Sequence, residues 1–159
     1  MNNETDKIED KELLFTATQL ADLTFKLLNS CHQKEELLAK QYGLTQAEFR
    51  CLRQLHHNIS TNNKDIAEKM NLSASRLTRI IDGLVVKKYV VREIEPNDRR
   101  NMRVFLSEKG DEFVTQLDGA YISIHAQILH DMDYGLHKPL INAMTHLLSA
   151  LERWIAKGL

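Results

Sequence analysis

Leu72-Ser73-Ala74-Ser75-Arg76-Leu77-Thr78-Arg79-Ile80-Ile81-Asp82-Gly83-Leu84 is the stretch on which the fold turns. Its large apolar residues Leu77, Ile80, Ile81 and Leu84 fall at i, i+3, i+4 and i+7, the spacing that lines one face of an α-helix. Ser73 stands just ahead, where its hydroxyl can accept from an exposed amide of the first turn. On a helical wheel Ser75, Arg79 and Asp82 point away from the stripe, flanked by Arg76 and Thr78. Upstream, Asn62 is placed to cap a shorter helix, with Asp65 in its first turn and Ile66, Ala67 and Met70 as its apolar face. Asn71 and Leu72 make the turn. A short helix, a tight turn and a second helix with a basic outer face form a helix-turn-helix over about residues 61–84.

Downstream the period changes. Tyr89–Ile94 and Met102–Leu106 are rich in β-formers, and the polar run from Glu95 to Asn101 between them carries Arg99 and Arg100 side by side. This reads as a β-hairpin with a basic tip. Ser107 is placed to cap a helix through Phe113, Leu117, Tyr121, Ile124, Ile128 and Met132. Gly135 and Pro139 bracket a break before a last helix with Ala143, Leu147, Leu148, Leu151, Trp154 and Ile155. Upstream of the helix-turn-helix, Thr45 and Glu48 have capping-box spacing, and Leu44 and Phe49 have that of a hydrophobic staple. These signals predict a helix from Thr45 to about His57. Before Gly43, apolar residues at helical spacing (Leu13, Ala17, Leu20, Leu27, with Phe15, Leu23 and Leu28) predict a long helix to about Lys40.

The expected fold is mainly α with a small β-hairpin wing. A chain of 159 residues with 43% hydrophobic and 27% charged side chains has the size and composition of one globular domain. No apolar run approaches the ~20 residues that span a bilayer, and the polar, acidic start lacks the features of a signal peptide. A cytoplasmic protein without membrane contact is expected. The formal net charge of −1 suits a nucleic-acid binder only when resolved by segment. Ser73–Arg103 holds eight cations against four anions, a local +4, which leaves −5 for the remainder. Nothing in the chain has the pattern of an enzyme: no glycine-rich phosphate loop, no His-Glu-x-x-His and no nucleophile elbow. No cofactor is expected.

The run Leu72–Asp82, followed by Pro96-Asn97-Asp98-Arg99-Arg100 and by Leu106-Ser107-Glu108-Lys109-Gly110, resembles the MarR family of bacterial transcription regulators. The order of elements matches along the whole chain. The resemblance implies a single domain over 1–159, with a winged helix-turn-helix lobe at about 44–110 and dimerisation helices at about 10–40 and 111–157. It implies a homodimer that binds a palindromic operator on double-stranded DNA, most often as a repressor released by a signal. Two positions depart from the family pattern. Lys88 stands where a glycine is usual between the recognition helix and the wing, which costs energy if the backbone there needs positive φ. Gly83 stands where a basic residue is common, removing one cation that could meet a phosphate and weakening the helix locally.

Under this reading the Ser73 helix enters the major groove, and Ser75, Arg76, Thr78 and Arg79 reach base edges and phosphates. An arginine fork on guanine is worth ~1–3 kcal/mol of discrimination. Asn62, Asn63 and Lys64 would hold the phosphate backbone. Arg99 or Arg100, with Arg103 further along the strand, would work the adjacent minor groove, and Asp98 would orient a neighbouring arginine. For the signal, the resemblance implies a small aromatic or amphipathic ligand, with Tyr42, Phe49, Cys51 and Tyr121 as candidate lining. A second reading is redox sensing through Cys31, whose neighbours His32 and Lys34 favour thiolate. Metal sensing is disfavoured: His125 and His130 are five apart and His56 and His57 adjacent, so neither pair shares a helical face. The rival class is a winged-helix module that binds protein; exposed aromatics or leucines would then be expected on the wing in place of the arginine pair.

Overall fold

A computed structural model of the chain describes residues 2–56, 59–95 and 98–158, with the side chains of 2–9, 94, 95 and 98–101 outside that description. The order is α1 (Asn2–Gln41), α2 (Gln46–Leu52), β1 (Thr61–Asn62), α3 (Asn63–Lys69), α4 (Ala74–Val86), β2 (Val90–Glu95), β3 (Asp98–Leu106), α5 (Glu108–His130) and α6 (Tyr134–Ala156). The chain divides into two compact units, 1–111 and 112–159.

The first unit is a mainly helical lobe with a three-stranded antiparallel sheet in the order β1-β3-β2. Its core is Leu38, Leu44, Phe49, Cys51, Leu52, Leu55, Ile66, Leu77, Ile80, Ile81, Leu84, Val90 and Val104. The stripe that defines α4 in the sequence is thus the stripe that is buried. The second unit holds most of α5 and all of α6. Val114 and Leu117 are buried there, whereas α6 buries none of its residues. Among the described residues no helix is long and apolar enough to cross a membrane.

Local chemistry explains where the helices of the lobe start and stop. At the head of α2 Thr45 and Glu48 form the expected capping box, and Leu44 and Phe49 are both buried. Asn62 caps α3, its side chain accepting from Lys64 N at 2.8 Å, and Ser73 caps α4 by accepting from Arg76 N at 3.4 Å. Helices α1, α3 and α4 share one kind of ending. In each, the residue past the cap takes positive φ (Gly43 at 67°, Asn71 at 52°, Lys88 at 62°), and the next amide reaches back to a carbonyl five residues earlier. Glycine takes that conformation freely and asparagine with little strain, but for lysine Cβ crowding costs ~1 kcal/mol or more. The glycine missing at 88 is therefore missing from a position whose geometry calls for one.

Several element boundaries differ from expectation. Helix α1 begins at Asn2, well before the first apolar repeat near Leu13. Apolar periodicity marks a face that packs, not the length of a helix, and the polar residues before it contain no breaker. Helix α2 ends at Leu52 instead of near His57, because Gln54 N and Leu55 N bond three residues back, to Cys51 O and Leu52 O, and tighten the chain into turns. His57 lies outside the described residues. Both hairpin strands run to the tip, and the register shifts after Ile94↔Met102 to Glu95↔Asp98, so the backbone of Arg99 and Arg100 belongs to strand β3 and not to a loop. Pro96 and Asn97 lie outside the described residues. The break before α6 falls at 131–133, where Asp133 caps by accepting from Gly135 N; Pro139 then sits inside the helix.

Candidate nucleic-acid interface

Helix α4 presents Ser75, Arg76, Thr78, Arg79 and Asp82 to solvent on the side away from its buried stripe. Two of these are partly committed. Thr78 Oγ1 donates to Ala74 O at 2.9 Å, and Ser75 Oγ lies 3.3 Å from Ser73 Oγ. Asp82, though half-exposed, is paired through one carboxylate oxygen with Arg92 of β2 at 2.6 Å. That pair ties the middle of α4 to the wing strand and cancels the one anion on the outer face of the helix. The basic character of the face is therefore carried by Arg76 and Arg79.

The start of α3 and the start of α4 face a common groove of about 510 Å³, lined among others by Asn63, Lys64, Leu77, Thr78 and Met102. This brings together the expected backbone-holding pair Asn63 and Lys64, Thr78 of the expected reading face, and the first wing residue past the tip. Lys64 lies 3.9 Å from Glu68, a loose and exposed pair that leaves its charge available at moderate ionic strength. Arg103 is exposed on β3, opposite Asn62 of β1 and Glu93 of β2. The side chains of Asp98, Arg99 and Arg100 lie outside the described residues.

The wing is anchored at its base by a set of hydrogen bonds between the turn leading into its first strand and the start of α5. Ser107 N donates to Tyr89 O at 3.0 Å, Ser107 Oγ donates to Lys88 O at 2.6 Å, and Gly110 N donates to Ser107 Oγ at 2.9 Å. Gly110 is needed there: a Cβ on it would stand 1.8 Å from Tyr89 O. Lys109 adds a donation to Lys87 O at 3.1 Å and lies over the Tyr89 ring at 4.6 Å. One serine and one glycine thus seal the left-handed turn at Lys88 and the start of α5 onto the wing.

The residues weighed for signal sensing differ in exposure. Phe49 and Cys51 are fully buried, and burial, with the Glu48 charge nearby, pushes the Cys51 thiol up to about 12. It stays protonated and inert near neutral pH. Tyr42 is half-buried in the first unit; Tyr121 is half-buried in the second, its ring 4.5 Å from that of His125. Cys31 is half-buried and free. Among the described residues no three His, Cys, Asp or Glu side chains converge on a point that could hold a metal.

One feature of the lobe had no signal in the sequence. Glu48, read there only as half of a capping box, is buried and also pairs with Lys87 at the end of α4, Nζ to Oε2 2.7 Å. The partners are 39 residues apart, and no local pattern connects them.

Comparison with known proteins agrees with this architecture. Residues 44–102 match the model of the MarR family. The chain is 25% identical over 137 residues to the HTH-type transcriptional regulator SarZ of Staphylococcus haemolyticus, covering 85% of this chain and 90% of that one. It is 23% identical over 125 residues to the uncharacterized HTH-type transcriptional regulator YhbI of Bacillus subtilis, covering 79% and 81%. Among solved structures, a MarR transcriptional regulator from Methanosarcina mazei superposes with a TM-score of 0.72 at 19% identity, over 86% of this chain and 98% of that one. The Staphylococcus aureus MepR–DNA complex superposes at 0.67 with 18% identity, over 83% and 97%. With the capped helix pair and the anchored wing, these likenesses make the chain similar to the MarR family of winged helix-turn-helix transcriptional regulators, whose model its residues 44–102 match.

Proposed function

We propose that the protein is a homodimeric repressor that holds a palindromic operator and is released from it by a small aromatic or amphipathic molecule. Helix α4 enters the major groove, with Arg76 and Arg79 reading base edges and Ser73, Ser75 and Thr78 completing the contact. Asn62, Asn63 and Lys64 grip the flanking phosphates. Arg99 and Arg100, with Asp98 orienting them and Arg103 behind, lie along the minor groove. The observation that carries this reading is α4 itself, whose apolar stripe is buried while its outer face keeps two arginines and no unpaired anion. The solved MepR complex shows that a protein of this fold binds DNA. The dimer is inferred from the apolar side chains that α1 and α6 leave exposed, among them Leu13, Phe15, Leu147, Leu151 and Trp154.

The test is fluorescence anisotropy on the duplex that the wild-type protein selects from a randomised pool. A selected site with two half-sites ~10 base pairs apart, or a multiple, is expected. Arg79→Ala should relax the sequence preference, and Arg99→Ala with Arg100→Ala should lower the salt slope by about 0.9 for each phosphate that the protein no longer neutralises. Selection of no consensus, or a slope unmoved by the double substitution, removes the groove reading. Small aromatic acids and amines titrated into the complex test release. Peroxide distinguishes the redox alternative, which rests on Cys31 because Cys51 is buried and protonated. Loss of binding on oxidation, restored by reductant and absent in Cys31→Ser, would put Cys31 in place of the ligand.

A further inference from the structure

We propose that Glu48, Gly83 and Lys87 form a lock that sets the seat of α4, and with it the sequence specificity of DNA reading, without touching DNA. The inference rests on the reading that α4 enters the groove.

The lock is built from three elements. Glu48 Oε2 accepts from Thr45 N at 2.8 Å, from Thr45 Oγ1 at 3.1 Å and from Lys87 Nζ at 2.7 Å. Lys87 Nζ donates a second bond, to Gly43 O at 2.9 Å. Two of the three ammonium donors therefore point inward, to the start of α2 and the turn that closes α1. The other carboxylate oxygen, Oε1, lies where a side chain at 83 would begin: a Cβ on Gly83 would meet it at 2.6 Å. Gly83 is thus more than the absence of a phosphate-binding cation. It is the notch in α4 that lets a buried carboxylate lie flat against the helix backbone. One side of α4 is fixed by this notch and by Lys87 at its end, and the other by Asp82 to Arg92.

A charge-assisted network around a buried carboxylate defines one arrangement sharply, because a displacement leaves the desolvated Glu48 charge unpaired. Reading base edges demands placement of α4 to a fraction of an ångström, whereas phosphate attraction tolerates error. Loss of the lock should therefore degrade discrimination more than general DNA affinity.

The experiment measures binding of the full chain to the selected duplex and to a scrambled duplex across a salt series, with thermal melting of each variant. Wild-type protein that does not discriminate between the duplexes overturns the groove reading, and the lock proposal with it. If wild type does discriminate, Lys87→Met should reduce the specific-to-scrambled ratio about tenfold with an unchanged salt slope, and Lys87→Arg should restore most of it. A slope that falls by about 0.9 with the ratio intact would make Lys87 a phosphate-binding residue and overturn the proposal. So would a ratio that does not move. Should Lys87→Met fail to fold, the cycle of Glu48→Ala and Gly83→Ala decides. Gly83→Ala should lower the ratio severalfold in the wild-type background and little in Glu48→Ala, where the obstructing carboxylate is gone; equal effects in both backgrounds overturn the lock.

Discussion

Helices α4 and α6 carry the same kind of pattern and meet opposite fates. In α4 the apolar residues Leu77, Ile80, Ile81 and Leu84 are between 0% and 9% exposed. In α6 Ile141, Met144, Leu147, Leu148, Leu151, Trp154 and Ile155 recur at similar spacing and are 42% to 61% exposed. Periodicity announces that a helix has an apolar face; it does not announce whose surface covers it. The stripe on α4 is satisfied within the lobe, which leaves the opposite face of the helix for DNA under the proposed function. The stripe on α6, with that on the first half of α1, is left for a second copy of the chain under the proposed dimer.

The largest effect that sharpens this contrast should come from α6. Placing Asp at both Leu147 and Leu151 sets charges on an exposed face and should leave the lobe folded. It should halve the mass seen by sedimentation equilibrium and weaken binding to a two-half-site duplex by at least ~100-fold, because one head then binds alone. Retention of both mass and affinity would break the contrast. Next in size is Ile81→Ala in α4, which opens a cavity inside one chain and should cost ~2–5 kcal/mol. Its midpoint in urea should fall by the same amount at every protein concentration if the covering surface is intramolecular.

The contrast also shows what the sequence carries. The caps at Thr45, Asn62 and Ser73 and the stripe of α4 were legible because each is decided within a few residues. Features decided across the chain were not. Strand β1 is two residues long and exists only by pairing with Val104 and Arg103. Asp82 points outward as the wheel places it, but its pairing with Arg92 from the next element had no local signal. Glu48 was legible as a cap and illegible as the partner of Lys87. Gly83 read as a weakness in the recognition helix until the carboxylate beside it was seen.

An intermediate effect should appear in acid. Burial pushes the Glu48 carboxyl up, but the Lys87 hydrogen bond and charge and the Thr45 amide and hydroxyl more than offset this, leaving its pKa below the ordinary value. A carboxyl lowered in the folded state adds stability that is fully present above its unfolded pKa of ~4.3 and is lost as pH falls through the folded value. Glu48→Gln should therefore destabilise the lobe at pH 7 and converge on the wild type in strongly acidic solution. A difference in melting midpoint that stays constant from pH 7 to pH 3 would show that ionisation of Glu48 does not contribute.

The smallest effect expected is a gain. Lys88 holds φ at 62° at the end of α4, where Gly43 serves at the end of α1 with φ at 67°. The side chain of Lys88 is exposed, and its backbone carbonyl, which accepts from Ser107 Oγ, is retained by any residue. Lys88→Gly removes the Cβ crowding, ~1–2 kcal/mol, and gives back part of that through the greater freedom of glycine in the unfolded chain. A net gain of ~0.5–1 kcal/mol should follow, read as a higher urea midpoint with an unchanged slope. Because the substitution removes a cation next to Lys87, the salt slope of DNA binding should be recorded on the same sample. A slope unchanged beside the higher midpoint would show Lys88 to be a strained structural residue; a slope lowered by about 0.9 would show that the lysine is kept at this turn for a phosphate.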